Sequence, residues 1–125
     1  AYGFLRNVFE IFERYKTPID MISTSEVAVS VTVENDQYLE QIQKELNEIA
    51  TVEIDRDMTI ISVVGDDLTE RPGYASKVLV SLKDIPVRMV SCGGSKNNVS
   101  LLLDKKYKTQ ALRSLNEGLF NTVMA

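Results

Sequence analysis

The 125-residue chain has no histidine, no tryptophan and a single cysteine. Without histidine there is no Ser-His-Asp triad, no Cys-His dyad and no His-ligated zinc. One cysteine permits neither an internal disulfide nor a four-cysteine metal site, a usage that fits a reducing, cytoplasmic setting. A basic excess is missing as well: 14 Lys plus Arg stand against 18 Asp plus Glu, a net charge of −4. That balance disfavours nucleic acid and anionic membrane as main partners. No apolar run approaches the roughly 18 residues that a membrane helix needs. The chain opens Ala1-Tyr2-Gly3, with neither an initiator methionine nor an apolar signal segment. With 44% apolar and 26% charged residues it is ordinary globular material. Its length suits one domain of about 100–150 residues or two small ones with little core each.

Hydrophobic periodicity divides the chain well. Leu5, Val8, Phe9, Phe12 and Tyr15 recur at helical spacing, which predicts an amphipathic helix over 4–16 that Pro18 ends. Ile19 to Ser23 is a short apolar run. Val27, Val29, Val31 and Val33 alternate with Ala28, Ser30 and Thr32, the pattern of a strand with one buried face. Asn35 and Asp36 are candidate N-caps for a second helix marked by Leu39, Ile42, Leu46 and Ile49. Val52 and Ile54, alternating with Glu53 and Asp55, predict a further strand. Thr59 to Val64 is a β-branched strand, followed by a loop from Gly65 to Pro72-Gly73. Val78, Leu79, Leu82 and Ile85 mark a third helix, Val87 to Ser91 and Val99 to Leu103 two strands, and Cys92 to Asn97 the turn between them. A fourth helix runs from Lys106 to Phe120, with Ala111, Leu112, Leu115 and Leu119 on its apolar side.

The two halves are copies. Pro18-Ile19-Asp20-Met21-Ile22-Ser23 aligns with Pro86-Val87-Arg88-Met89-Val90-Ser91 at an offset of 68 residues, and Leu46-Asn47-Glu48 with Leu115-Asn116-Glu117 at 69. Gly3 precedes the first helix as Gly73 precedes the third. Matches in the same order and in matching elements mark a tandem duplication of a unit of about 69 residues. Combining the strands seen in either copy gives βαββαβ. The expected fold is therefore α+β: two ferredoxin-like units, each an antiparallel sheet with two helices on one face. The units divide as 1–57 and 58–125.

Little of this sequence resembles catalytic machinery. Gly93-Gly94-Ser95-Lys96 lacks the full phosphate-loop pattern and sits between two strands, where Gly and Asn form a turn. Asp66-Asp67 and Glu53, Asp55 and Asp57 read as solvated loop acids and not as cation ligands. No histidine is present to activate Cys92. Asn98-Val99-Ser100 matches a glycosylation sequon that reads as accidental. A binding role has more to support it. Gly3-Phe4-Leu5 opens a helix, where unpaired N–H groups and the dipole favour a carboxylate. Ile19-Asp20 and Ser23-Thr24-Ser25-Glu26 offer acidic groups and hydroxyls nearby. A carboxylate site facing an acidic site is what a free amino acid requires. The plainer alternative is a solvated loop with a capping Ser or Thr.

Gly3-Phe4-Leu5-x-x-Val8-Phe9 and Ile19-Asp20-x-Ile22-Ser23-Thr24-Ser25-Glu26-Val27 strongly resemble the regulatory region of aspartokinases, nearest the single-function, lysine-sensitive type. Val87-Arg88-Met89-Val90, Gly93-Gly94-Ser95, Asn97-Asn98-Val99 and Leu115-Asn116-Glu117-Gly118-Leu119-Phe120 resemble the second regulatory unit of the same family. The resemblance covers essentially the whole chain and implies two ACT domains in tandem, small βαββαβ modules that bind amino acids. It further implies a sensor of an end-product amino acid, most simply lysine, that inhibits a kinase phosphorylating aspartate. ATP and magnesium would belong to an N-terminal kinase domain of the same chain, so this segment would need no cofactor or metal and have no catalytic residue.

Carried over by resemblance, the effector site comprises Gly3, Phe4 and Leu5 for the ligand carboxylate, Ile19 and Asp20 opposite, with Asp20 pairing an ammonium, and Thr24, Ser25 and Glu26 for further polar contacts. Arg88 stands in the second copy where Asp20 stands in the first, and a cationic ligand would be repelled there. The first unit is thus expected to bind the effector, the second to pack and dimerise. A sensor of threonine or of another effector, and a ligand-free dimerisation module, are the alternatives. Two full copies need about 138 residues. The shortfall sits before Gly3 and after Phe120, where only Asn121 to Ala125 remain. In the resembling family one unit is inserted within the other and upstream chain supplies the missing strand, so the absent Met reads as truncation.

Overall fold

The computed structural model describes residues 3–26, 28–94 and 96–120; Ala1, Tyr2, Val27, Ser95 and Asn121–Ala125 lie outside the described residues. The chain divides into two units, residues 1–54 and 55–125. Both are α+β.

In unit 1, α1 (Phe4–Arg14) is followed by β1 (Ile19–Thr24), β2 (Val29–Val33) and α2 (Leu39–Leu46). The strands form an antiparallel pair. The apolar stripe of α1 buries Val8, Ile11 and Phe12 against Ile42 of α2, with Ile19, Val31, Val33 and Leu46 packed around them. The helix ends before Pro18 is reached. Lys16 takes a left-handed φ of 50°, its N–H donates to the Glu13 carbonyl and that of Thr17 to the Phe12 carbonyl, both at 2.9 Å. This Schellman closure satisfies the terminal carbonyls and reverses the chain. Pro18 follows a helix that has already stopped. Between Ile19 and Ile22 the β1–β2 register shifts, and the N–H of Met21 donates to Thr32 Oγ1 at 2.9 Å. Such a bulge leaves a residue without its ladder partner, and here a side chain replaces it.

Two expectations for this unit need correction. Asn35 and Asp36 do not cap α2: Tyr38 occupies the N-cap position, with no side-chain cap bond, and Asn35 Oδ1 instead accepts from the N–H of Gln37 at 2.9 Å. Nor is Val52–Ile54 a strand. Alternation supplies a face for burial, but a strand exists only through a ladder of hydrogen bonds to a neighbour, and among the described residues β1 pairs only with β2 in this sheet.

Arg14 and Tyr15, at the C-terminal end of α1, both donate to one carboxylate on α2: Arg14 Nη1 to Glu45 Oε1 and the Tyr15 hydroxyl to Glu45 Oε2. The Tyr15 ring lies 5.9 Å from that of Tyr38. Donation from Tyr15, reinforced by Arg14, holds the Glu45 carboxyl below the ordinary carboxylate range, and the same bond raises the Tyr15 phenol.

Unit 2 runs β3 (Met58–Val64), α3 (Tyr74–Ser81), β4 (Met89–Cys92), β5 (Asn98–Asp104) and α4 (Lys108–Leu119). The sheet order is β3-β5-β4, antiparallel throughout. A strand inserted between the two that α3 connects is the split βαβ arrangement. Alternate residues Ile61, Val63, Val99, Leu101 and Leu103 bury one sheet face under Val78 of α3 and Ala111 and Leu115 of α4. The third helix stops at Ser81, short of Leu82 and Ile85, which are buried in the turn that follows. The fourth begins with a 3-10 turn over Lys105–Tyr107, capped by Asp104 Oδ1 accepting from the Lys106 N–H at 2.9 Å. Helices α3 and α4 cross where Gly118 meets Ser81: a Cβ on Gly118 would stand 2.0 Å from Ser81 Oγ and 2.8 Å from its Cβ.

These features give substitutions of opposite sign. Lys16→Gly removes left-handed strain and should raise unit 1 stability by about 0.5–1 kcal/mol. Gly118→Ala overfills the α3–α4 crossing and should lower unit 2 stability by about 1–3 kcal/mol, despite alanine's better helix propensity. Urea unfolding of each variant measures both. The Glu45 carboxyl is depressed in the folded state, so its stabilisation is complete above the ordinary carboxylate range and is lost as pH falls through the depressed value. Tyr15 is raised, so its part is complete below the ordinary phenol range and is lost as pH rises through the raised value. Melting temperatures recorded on acidification should therefore fall more steeply for the native chain than for Glu45→Gln.

Candidate functional site

Helix α1 begins at Gly3, whose φ of 83° is open to glycine and strained for other residues. Its first intrahelical bond runs from the Asn7 N–H to the Gly3 carbonyl at 2.9 Å, and Gly3 has no side chain with which to cap. The N–H groups of Phe4 and Leu5 consequently have no partner within the helix and carry the positive end of its dipole.

This first turn borders an open cleft of about 400 Å³ wholly within unit 1. Phe4 and Leu5 form one side. The β1–β2 connection supplies Thr24, Ser25, Glu26, Ala28 and Val29, and the chain just after α2 supplies Ile49 and Ala50. The connection is shaped by its own hydrogen bonds: Ser25 N–H donates to the Ala28 carbonyl at 2.8 Å, and the Ala28 N–H donates to Ser25 Oγ at 3.2 Å. One edge of the cleft therefore favours an anion, while Glu26 offers an anionic group and Thr24 and Ser25 offer hydroxyls.

Of the site residues read from sequence, Phe4, Leu5, Thr24, Ser25 and Glu26 meet here. Gly3, Ile19 and Asp20 are not among the lining residues. Gly3 acts on the cleft through the backbone of α1. Ile19 turns inward to the unit 1 core. Asp20 is exposed beside the bulge, four residues from Thr24 along β1, about 13 Å at strand rise. Ala28, Val29, Ile49 and Ala50 were not anticipated. Ile49 reads as a helix residue by its spacing, but α2 ends at Leu46, and the Ile49 and Ala50 N–H groups turn back to the Leu46 carbonyl at 3.0 and 2.9 Å.

The matching region of unit 2 has different chemistry. At the 68-residue offset Thr24, Ser25 and Glu26 correspond to Cys92, Gly93 and Gly94, which offer neither a carboxylate nor a hydroxyl. Arg88, opposite Asp20 in the alignment, pairs with Asp55 at 2.8 Å. The loop between β3 and α3 is bound to the β4–β5 turn: the N–H groups of Gly65 and Asp67 donate to the carbonyl and Oδ1 of Asn97 at 2.9 and 3.1 Å, and that of Thr69 donates to the Lys96 carbonyl at 3.1 Å. Asp67 is also 3.6 Å from the Lys96 ammonium. The Lys96 carbonyl and both the carbonyl and Oδ1 of Asn97 are thus used within the unit. Among the described residues no group of His, Cys, Asp or Glu side chains is arranged to hold a metal ion, and no helix is long and apolar enough to cross a membrane.

Comparison with known proteins bears on this geometry. Residues 61–119 match the family model of the ACT domain. The chain is 45% identical to a solved C-terminal regulatory domain of aspartate kinase from Porphyromonas gingivalis W83, over 96% of this chain and 82% of that one, with a TM-score of 0.87. It is 33% identical to the aspartokinase of Schizosaccharomyces pombe over 95% of this chain and 24% of that protein. It is also similar to Escherichia coli aspartokinase III solved in complex with lysine and aspartate, at 30% identity and a TM-score of 0.83 over 96% of this chain and 28% of that one. The chain spans about a quarter of the length of the curated relatives it matches.

The cleft depends on the left-handed conformation at Gly3, and the same conformation recurs at Gly73, with a φ of 76°, before α3. Neither position has an atom within 4 Å of an added Cβ, so alanine there tests backbone strain alone. Gly3→Ala and Gly73→Ala should each cost about 1 kcal/mol in urea unfolding, but only Gly3→Ala should alter the amide resonances of Thr24, Ser25 and Glu26.

Proposed function

The chain belongs to the aspartokinase family, in the regulatory region built of ACT domains, and we propose that it binds an end-product amino acid, lysine, and thereby inhibits ATP-dependent phosphorylation of aspartate. The observation that carries this reading is that Phe4 and Leu5, in the first turn of α1, line one cleft with Glu26. A free amino acid bears a carboxylate and an ammonium, and lysine bears a second cation. Hydrogen bonds from a helix N-terminus hold the first group, and a carboxylate holds an ammonium in a charge-assisted bond. The lysine in the E. coli aspartokinase III complex supports the choice of effector.

In this reading Glu26 pairs an ammonium, and Thr24 and Ser25 supply hydroxyl contacts. Asp20, a strand's length away, serves as a further cation partner contributed by a second copy in a homodimer formed through the ACT domains. Unit 2, with Arg88 at the position of Asp20 and Gly94 at that of Glu26, has a packing role. Catalysis belongs to an N-terminal kinase domain that uses ATP and magnesium in the cytoplasm, and this segment is inert without it. Inhibition is a population shift: lysine favours the subunit arrangement that it binds more tightly, in which the kinase is less active.

A thermal-shift screen against the twenty amino acids tests the proposal. Lysine at about 100 times its Kd should stabilise the chain by about 2.7 kcal/mol, with threonine inactive. Glu26→Gln should weaken lysine by about tenfold or more, the loss of one charge-assisted bond. Stabilisation by threonine alone would reassign the effector, and stabilisation by none would leave a dimerisation module.

A further inference from the structure

We propose that Glu45 is a positioning residue for the unit 1 cleft, which it does not line, and that it sets the spacing of the cleft walls by fixing α1 against α2. The proposal rests on the reading of that cleft as the amino-acid site. One wall is the first turn of α1, with Phe4 and Leu5; the other includes Ile49 and Ala50, directly after α2. Both walls are anchored next to Glu45. On one side its two carboxylate oxygens accept from Arg14 and Tyr15, the last turn of α1 and its cap. On the other its neighbour Leu46 supplies the carbonyl that holds the Ile49 and Ala50 N–H groups.

The buried seam between these helices is Val8, Ile11 and Phe12 of α1 with Ile42 of α2, and the partly buried Phe4, Tyr15 and Leu46 pack against it. With one fully buried residue on α2, the seam resists separation of the helices more than tilt, and the polar contacts at Glu45 resist the tilt. Tyr15 reaches along α2 from Tyr38, whose ring it meets, to Glu45, a span of two helical turns. The 11 residues of α1 extend about 16 Å. A tilt of about 10° about the seam, with Phe4 about 10 Å from Ile11 along the axis, would displace the Phe4 turn by about 2 Å. A binding constellation tolerates about 0.5 Å. Loss of the clamp therefore reaches the ligand without any contact between Glu45 and the ligand.

The test combines lysine calorimetry with amide hydrogen exchange of the unliganded chain, for native protein, Glu45→Ala, Glu45→Gln, Tyr15→Phe and an Ile61→Val control in unit 2. Glu45→Ala should raise the Kd for lysine by about tenfold or more, as expected when a binding group is misplaced. It should also speed exchange of the Asn7, Ile49 and Ala50 amides by about tenfold, a local opening of the walls. Glu45→Gln, which keeps an acceptor for Tyr15 but loses the charge facing Arg14, and Tyr15→Phe should fall between. Ile61→Val loses core packing in unit 2 and leaves the α1–α2 seam intact, so it should lower the melting temperature with Kd unchanged within about twofold. If native chain binds lysine and Glu45→Ala binds it equally well, the positioning role is overturned and the effector reading stands. If native chain binds no amino acid, the effector reading falls. Exchange then decides the positioning role: faster at the three wall amides in Glu45→Ala sustains it, unchanged rejects it.

Discussion

The uncapped N-terminus of α1 is the constraint on which unit 1 depends. A helix leaves its first N–H groups without partners inside itself, and those groups must find an acceptor or remain solvated. Most helices solve this with a Ser, Thr, Asp or Asn side chain. Here the preceding residue is Gly3, which has no side chain to offer and takes a left-handed conformation that sets the direction of the helix axis. The unmet donors of Phe4 and Leu5 are left at the edge of a cleft that Glu26 also lines. The rest of the unit holds that end in place: a Schellman closure at Lys16, a small apolar seam and one carboxylate on α2.

Duplication followed by divergence explains why two similar units differ in chemistry. Both retain glycine with positive φ before their leading helix, at Gly3 and Gly73. Both retain the strand pair after it. The second copy has the larger apolar core, drawn from three strands and two helices. It has glycines at the positions of Ser25 and Glu26, and its own β3–α3 loop is bonded to the β4–β5 turn. Loss of polar side chains and use of the turn's acceptors by the chain itself go together.

The order of elements was legible in the sequence because apolar spacing directly reports burial. Val8 and Phe12 on α1, and Ile61 and Val63 on β3, are buried as their spacing predicts, whereas Leu5 and Phe9 are exposed and Ile11, not among the residues read from that spacing, is buried. That Phe4, Leu5, Thr24, Ser25 and Glu26 border one cleft was legible because they sit at element ends that the ferredoxin-like order brings together. Asp20 lies apart from them within the chain. Its neighbourhood in sequence is that of Thr24, but in a strand four residues are a long way, and the bulge beside it is set by the Thr32 hydroxyl, which periodicity does not reveal. Ile49 and Ala50 escaped for the opposite reason: apolar spacing extended α2 past its true end, where the chain turns to line the cleft. The cap at Asn35–Asp36 and the strand at Val52–Ile54 were local inferences about features that depend on hydrogen-bond partners elsewhere.

The central claim is that the cleft of unit 1 alone is an amino-acid site. It is tested most directly by titrating lysine into isotope-labelled chain and following the backbone amide resonances. The account predicts saturable shifts at Phe4, Leu5, Thr24 and Glu26, with one lysine per chain and no saturable shifts at Tyr74 or Cys92 to Gly94. Shifts confined to the second unit, or none at any lysine concentration that the native chain tolerates, would contradict it.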